Sequence, residues 1–217
     1  MFNIIFWNVR GACGRSMFRN IKLLCSKYNP TMLLLAETKC ESDGHLQCLR
    51  KLGFDQLVSM PSVGRSGGIA AAWKSNFLSV SLLCSNRQYL HLNCNGGGIP
   101  PFVLTGVYAL PEANHKFVLW EDLRGLASSM VAPWVVMGDF NDISAASERT
   151  GGSGVNGARY NLFNNRLQQC NLSDLGAIGP KFTWRGPRLR DGRRLFERLD
   201  RAVANQSFLT QLSDCIV

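Results

Sequence analysis

The chain has 217 residues, 46% of them hydrophobic, and a formal net charge of +9 at neutral pH. That length fits one large domain spanning 1–217, and that apolar content can bury a substantial core. No apolar run reaches the roughly eighteen residues of a membrane helix, and no basic-then-apolar leader precedes the first strand-like run. A soluble globular chain with no membrane partner is therefore expected.

The charge is uneven. Between positions 181 and 201 eight Lys or Arg stand against Asp191, Glu197 and Asp200, a local excess of +5. Such a surplus favours phosphate-rich partners through Coulomb attraction and counterion release, although a solvated loop has the same composition. The eight cysteines, Cys13, Cys25, Cys40, Cys48, Cys84, Cys94, Cys170 and Cys215, form no CxxC pair. They read as reduced thiols, neither disulfides nor a zinc site, and no disulfide-linked partner is expected.

In chain order, apolar runs predict strands at 2–7, 31–36, 68–73, 77–83, 88–94, 102–108 and 134–137. Helical spacing predicts helices at 17–28, 113–128 and 158–170. In the second helix Phe117, Trp120, Leu123 and Leu126 are read as one apolar face; in the third, Tyr160, Phe163, Leu167 and Cys170 are. "RQYLHLNC" alternates like a half-buried antiparallel strand, which makes His91 structural or solvent-facing. Glycine clusters at 64–68, 96–98 and 151–157 mark loops, and none follows the GxGxxG or GxxxxGK[ST] pattern. Mixed strands interspersed with helices predict two packed sheets with helices outside.

The informative feature is how the strands end. "NIIFWN" stops at Asn8, "TMLLLAE" at Glu37, "FVLTGVY" at Tyr108, and "WVVMGDFND" at Asp139 and Asn141. Each of these residues can coordinate a cation or hydrogen-bond a phosphate, and a strand end holds such a group rigidly. Two carboxylates, Glu37 and Asp139, with carbonyl oxygens and waters make a hard-oxygen site suited to Mg²⁺. A lone Asp or Asn after a strand is ordinary turn chemistry, so the weight lies on the set.

The ordered blocks "WNVRG", "AETK", "SGGIAAAW", "GVYALP", "GDFND", "KFTWRG" and "ERLDRAV" resemble the exonuclease–endonuclease–phosphatase superfamily. More narrowly, they resemble the apurinic-type endonuclease domain of plant LINE-like non-LTR retrotransposons. The resemblance implies an α/β fold, a four-layer α/β sandwich of two packed mixed sheets flanked by helices. It also implies hydrolysis of DNA phosphodiesters with Mg²⁺ (or Mn²⁺). By motif match Asn8 and Glu37 belong to the metal and phosphate site. Asp139 orients or deprotonates the attacking water, Asn141 holds the scissile phosphate, and Tyr108 supports the transition state. Asp200 orients a catalytic histidine. Arg149, Thr183, Trp184 and Arg185 are expected to contact the DNA backbone, Thr183 and Trp184 from a loop.

One part of the pattern has no match. The family carries a late Ser-Asp-His strand, whereas "SDC" at 213–215 comes too soon after Asp200, and His45, His91 and His115 stand in other contexts. The expectation is a domain lacking that strand, with weak or no nuclease activity. Two alternatives remain open: a non-catalytic nucleic-acid-binding remnant, and a phosphatase of the same superfamily. Oligomeric state is not legible. Nor is localisation, beyond a nuclear site of action for a retroelement endonuclease; "RLRDGRR" is interrupted by Asp191.

Overall fold

The computed structural model describes residues 2–12, 14–64, 66–96, 98–152, 157–189 and 192–217. Cys13, Asp191 and parts of the three glycine-rich loops fall outside the described residues. The chain divides into two compact units, Met1–Tyr108 with Val136–Gly138, and Ala109–Val135 with Asp139–Val217.

The first unit runs β1 (Ile4–Asn8), α1 (Arg15–Tyr28), β2 (Met32–Ala36), a 3-10 helix at Asp43–Leu52, β3 (Gln56–Met60), β4 (Ile69–Trp73), β5 (Leu78–Asn86), β6 (Tyr89–Gly96) and β7 (Ile99–Tyr108). One sheet has the order β1-β2-β4-β3, with β1 parallel to β2 and the other pairs antiparallel. In the other sheet β5, β6 and β7 form an antiparallel meander, beyond which lie residues Val136–Gly138 of β8 (Trp134–Asp139).

The sheets face each other, β2 and β4 against β7 and β6. A methyl group on Gly106 would come 3.1 Å from Leu34, so the small residue is what lets β7 approach β2. On the outer face of the first sheet, α1 and the 3-10 helix pack Met17, Ile21, Leu46 and Leu49 onto Leu33, Leu35, Ala70 and Ala72. Strand β2 is thus buried on both faces, which is why "MLLLA" is apolar without alternation. β1 is equally apolar but half-buried at all five positions, because it is the edge of its sheet.

The second unit contains α2 (Ala113–Ser128), the ends of β8, β9 (Arg149–Thr150), α3 (Gly157–Gln169), β10 (Ser173–Asp174), β11 (Trp184–Arg188), β12 (Arg194–Glu197), β13 (Asp200–Ala204) and α4 (Gln206–Gln211). β13 lies between β10 and β8, and β11, β12 and β9 make a small antiparallel sheet. Trp120, Phe140 and Phe163 form an aromatic triangle with centroids 5.7–5.8 Å apart. Asn205 joins β13 to α4: its Oδ1 accepts from Phe208 N and Trp134 N, and its Nδ2 donates to Ala132 O.

Mixed sheets with flanking helices bear out the expected α/β class. Three local readings need correction. In α2 the buried residues are Leu119, Trp120 and Leu123, whereas Phe117 is 59% exposed. A spacing of three drifts about 60° per step around a helix, so Phe117 and Leu126 lie on opposite sides. β6 is not half-buried: Tyr89, Leu90, His91, Leu92 and Cys94 are all buried. Trp184 opens β11 and is not in a loop. The seven described cysteines are free thiols. No helix among the described residues is long and apolar enough to cross a membrane.

Candidate active site

In the first unit the parallel register pairs Asn8 with Ala36, so β1 and β2 end at the same level, one residue before Glu37. The loops that follow are laced together. Val9 N donates to Ala36 O, Gly11 N to Glu37 O and Ala12 N to Thr38 O, at 2.7–2.9 Å. This lacing holds three non-glycine residues in the left-handed region, Arg10 (φ +49°), Glu37 (φ +51°) and Lys39 (φ +52°). Such conformations cost free energy and persist where the surrounding structure enforces them, often at functional sites. Gly68 is part of the enforcement: it accepts Thr38 N at 3.1 Å, and a Cβ there would lie 2.2 Å from Thr38 Oγ1.

The Glu37 carboxylate is held lightly. The Tyr108 hydroxyl, at the end of β7, donates to Oε1 at 2.6 Å, and Lys39 Nζ stands 3.6 Å from Oε2. Asn8 Oδ1 accepts the amide of Arg10 at 3.2 Å.

In the second unit Asp139 closes β8, buried, and its carbonyl accepts Ala109 N at 2.8 Å. Its Oδ1 accepts Asn141 N at 2.9 Å, an Asx turn that carries Asn141 into the left-handed region at φ +49°. The Asn141 side chain donates to Ala109 O at 2.7 Å, and the second N–H of that amide group is left for another acceptor. The Asn141 carbonyl accepts Lys116 Nζ at 2.6 Å and Arg159 Nη2 at 3.3 Å. The same two cations bind buried Asp142, each at 3.0 Å.

Asp142 is therefore the anchor of this turn. A cluster of ion pairs continues from it. Glu197 takes Arg159 and Arg149 at 3.0 and 3.1 Å, while Glu148 and Asp174 share Arg198 and Arg201. Burial alone would raise the Glu148 carboxyl, but the hydrogen bond from Arg201 and the Ser144 amide bring it down to about 2. Asp200 opens β13; its amide and that of Leu199 both donate to Thr183 Oγ1 at 3.0 Å.

A model of the Endonuclease/Exonuclease/phosphatase family matches residues 5–216. The chain belongs to that family. No curated protein matches it by sequence. Among solved structures it is similar to the AP endonuclease LMAP from Leishmania major, at 17% identity and a TM-score of 0.72, over 95% of this chain and 80% of that one. It is similar to the endonuclease domain of TRAS1, a telomere-specific non-LTR retrotransposon, at 14% identity and 0.67, over 95% and 86%. It is also similar to the 3′ phosphatase NExo from Neisseria, bound to product DNA hairpin, at 18% identity and 0.68, over 94% and 86%. At these identities the likeness is one of fold.

Endonuclease/Exonuclease/phosphatase proteins are phosphodiester hydrolases that generally use divalent metals. The donors here fit a hard cation that keeps most of its water. No group of three or more His, Cys, Asp or Glu able to hold a metal occurs among the described residues, which disfavours a closed zinc-type cage. Mg²⁺ binds through one or two carboxylates and leaves the remaining positions to water and substrate phosphate. Glu37, with the amide oxygen of Asn8, is such a donor set.

The residues read as DNA-contacting lie in different settings. Arg185 is exposed on β11, Trp184 is half-buried beside it, and Thr183 spends its oxygen on the two β13 amides. Arg149 is committed to Glu197. Sequence reasoning noticed Asp142 only as part of the "GDFND" block, without its anchoring role, and missed Lys116, Arg159 and Glu148. Their ion pairs join positions 17 to 53 residues apart, and no local pattern announces them.

Proposed function

We propose that the chain is a divalent-metal-dependent phosphodiesterase acting on DNA, an endonuclease of retroelement, plant LINE-like type. The observation that carries this reading is how Glu37 is held. Glu148 and Glu197 are each neutralised by two arginines, whereas Glu37 receives a neutral hydroxyl at 2.6 Å and a lysine only at 3.6 Å. A strained strand-end carboxylate paired only with one lysine at 3.6 Å, where the other glutamates take two arginines, suits a cation better than it suits structure.

Glu37 and the Asn8 amide oxygen would hold Mg²⁺ or Mn²⁺, and the metal when bound would stabilise charge on a phosphodiester oxygen as a Lewis acid. Asp139, placed by the bond from Asn141 N to its Oδ1, would take the proton of the attacking water. The second amide N–H of Asn141 donates to a phosphate oxygen without adding repulsive charge. The Tyr108 hydroxyl would donate its single proton to the developing oxyanion by turning away from Glu37 Oε1. Asp200 is fixed through Thr183, and Arg185 and Trp184 meet the DNA backbone, with Arg149 behind them. The basic surplus and the solved relatives that process DNA support the choice of substrate.

A second reading, DNA binding without turnover, is favoured by where the histidines lie. His91 is buried against Thr105 on β7, His115 pairs with Glu112, and His45 sits on the 3-10 helix. The deciding experiment is nicking of supercoiled plasmid with Mg²⁺ and with EDTA, alongside Glu37→Ala and Asp139→Ala. Metal-dependent nicking lost in both variants is the expected result. Absence of nicking by folded protein that still binds DNA in a salt-dependent way replaces the catalytic reading with the second.

A further inference from the structure

On the outer side of the first unit, α1 and the 3-10 helix enclose an open depression of about 540 Å³. None of Asn8, Glu37, Tyr108, Asp139 and Asn141 lines it, and it is not used by the proposed chemistry. Its floor is apolar, with Ala12 and Met17 buried and Phe18 half-buried. Its rim carries Arg19, Lys22 and Lys51, all exposed, and no carboxylate lines it among the described residues. None of the three cations is in a salt bridge among the described residues, in contrast to the arginines of the second unit. Three like charges around an apolar floor repel one another, and a ligand that brings negative charge and a flat apolar body relieves both costs. The volume falls within the range of small-ligand sites, about 300–1,000 Å³.

The geometry points to a nucleoside-phosphate site here, with the base against Met17 and Phe18 and the phosphate among Arg19, Lys22 and Lys51. A base on an apolar platform with its phosphate on a basic rim is how single-stranded nucleic acid is held without sequence preference. A free nucleotide offers the same chemistry, and the two sources separate experimentally. The inference rests on the first unit alone and stands or falls independently of catalysis.

Cys48 provides a reporter. Its half-buried thiol lines the depression and donates to His45 O at 3.2 Å. The experiment is alkylation of Cys48 by iodoacetamide in EDTA, read by peptide mass spectrometry, with Cys84 on β5 as internal reference. The arms are adenosine monophosphate, a short oligothymidylate and inorganic phosphate, each with wild type and with the double variant Lys22→Glu, Lys51→Glu. A nucleotide at about ten times its dissociation constant is expected to slow Cys48 labelling about tenfold and leave Cys84 unchanged. The double variant is expected to lose that protection, and inorganic phosphate to give little. Protection at lower nucleotide concentration by the oligomer assigns the site to a strand; the reverse assigns it to free nucleotide. Unprotected Cys48 at millimolar nucleotide overturns the site. So does equal protection by phosphate, or protection that survives charge reversal. Both lysines are exposed, and an unchanged Cys84 rate with an unchanged circular dichroism spectrum shows that the variant is folded.

Discussion

Replacing Gly138 with alanine is expected to cost roughly 3–5 kcal/mol of stability. Gly138 has φ +153°, and a Cβ there would lie 1.9 Å from Val107 O, 2.8 Å from its carbonyl carbon and 2.9 Å from its nitrogen. All three are backbone atoms, so no rotamer change makes room. Real Cβ contacts essentially never fall below 3.0 Å, so β8 must move off β7 by more than an ångström. Two ladder hydrogen bonds at about 1 kcal/mol each are lost, and the unfavourable φ adds about 1–3 kcal/mol. At about 2–4 °C per kcal/mol for a chain of this size, Tm falls by roughly 10 °C. Gly125→Ala is the control. It lies exposed in α2 with nothing within 4 Å of its would-be Cβ, and it should gain up to about 1 kcal/mol from helix propensity. Urea unfolding followed by circular dichroism and tryptophan fluorescence measures both. A Gly138→Ala protein within about 1 kcal/mol of wild type, at an unchanged m-value, would refute the close approach of β8 to β7 at this position.

Tyr108→Phe removes the hydroxyl held by Glu37 and is expected to cost about 1–2 kcal/mol in urea unfolding. It should lower plasmid nicking about 100-fold; unchanged nicking would remove Tyr108 from the chemistry. Lys116→Met frees the Asn141 carbonyl from its 2.6 Å donor while Arg159 still holds Asp142, so a loss of about 2 kcal/mol is expected. Lys116→Arg should restore most of that stability, and failure of both variants to change stability would mean that the turn is held by Arg159 alone. Glu148 has a folded pKa of about 2, below an ordinary value of about 4.3, so its contribution is complete above the ordinary value and is lost as pH falls toward 2. The stability gap between wild type and Glu148→Gln should therefore shrink by about 2 kcal/mol between pH 5 and pH 2. A gap constant over that range would show that Arg201 does not depress this carboxyl.

The elements legible in the sequence are those whose burial imposes a pattern. β2 and β4 are buried at every position and β8 at nearly every one, and their apolar runs mark them without ambiguity. β3 is half-buried and mixed in composition, while β9, β10 and β12 are two to four residues long and exist only through partners far along the chain, as Arg149 pairs with Glu197. Nothing local specifies such strands. The strand-end residues Asn8, Glu37, Tyr108, Asp139 and Asn141 could be picked out because an apolar run broken by a polar group is itself a local signal. The clamp on Asn141 could not, because Lys116 and Arg159 become meaningful only once α2 and α3 are packed. Left-handed φ at Glu37 was likewise hidden, since glutamate carries no preference for that conformation.

The charge reading survives for a reason the composition does not show. Lys116, Arg149, Arg159, Arg198 and Arg201 are committed to Asp142, Glu148, Asp174 and Glu197. Counting cations near a suspected site therefore overstates what Arg149 and its neighbours offer a phosphate directly. The same pairing, however, consumes four of the fifteen acids and only five of the twenty-four Lys and Arg. Nineteen cations against eleven acids remain elsewhere, a surplus of +8 out of +9. The ion-pair cluster thus stiffens the Asp139–Asp142 turn at almost no cost to the long-range field. Such a field would attract a polyanion, while the turn is held by charges already paired within the fold.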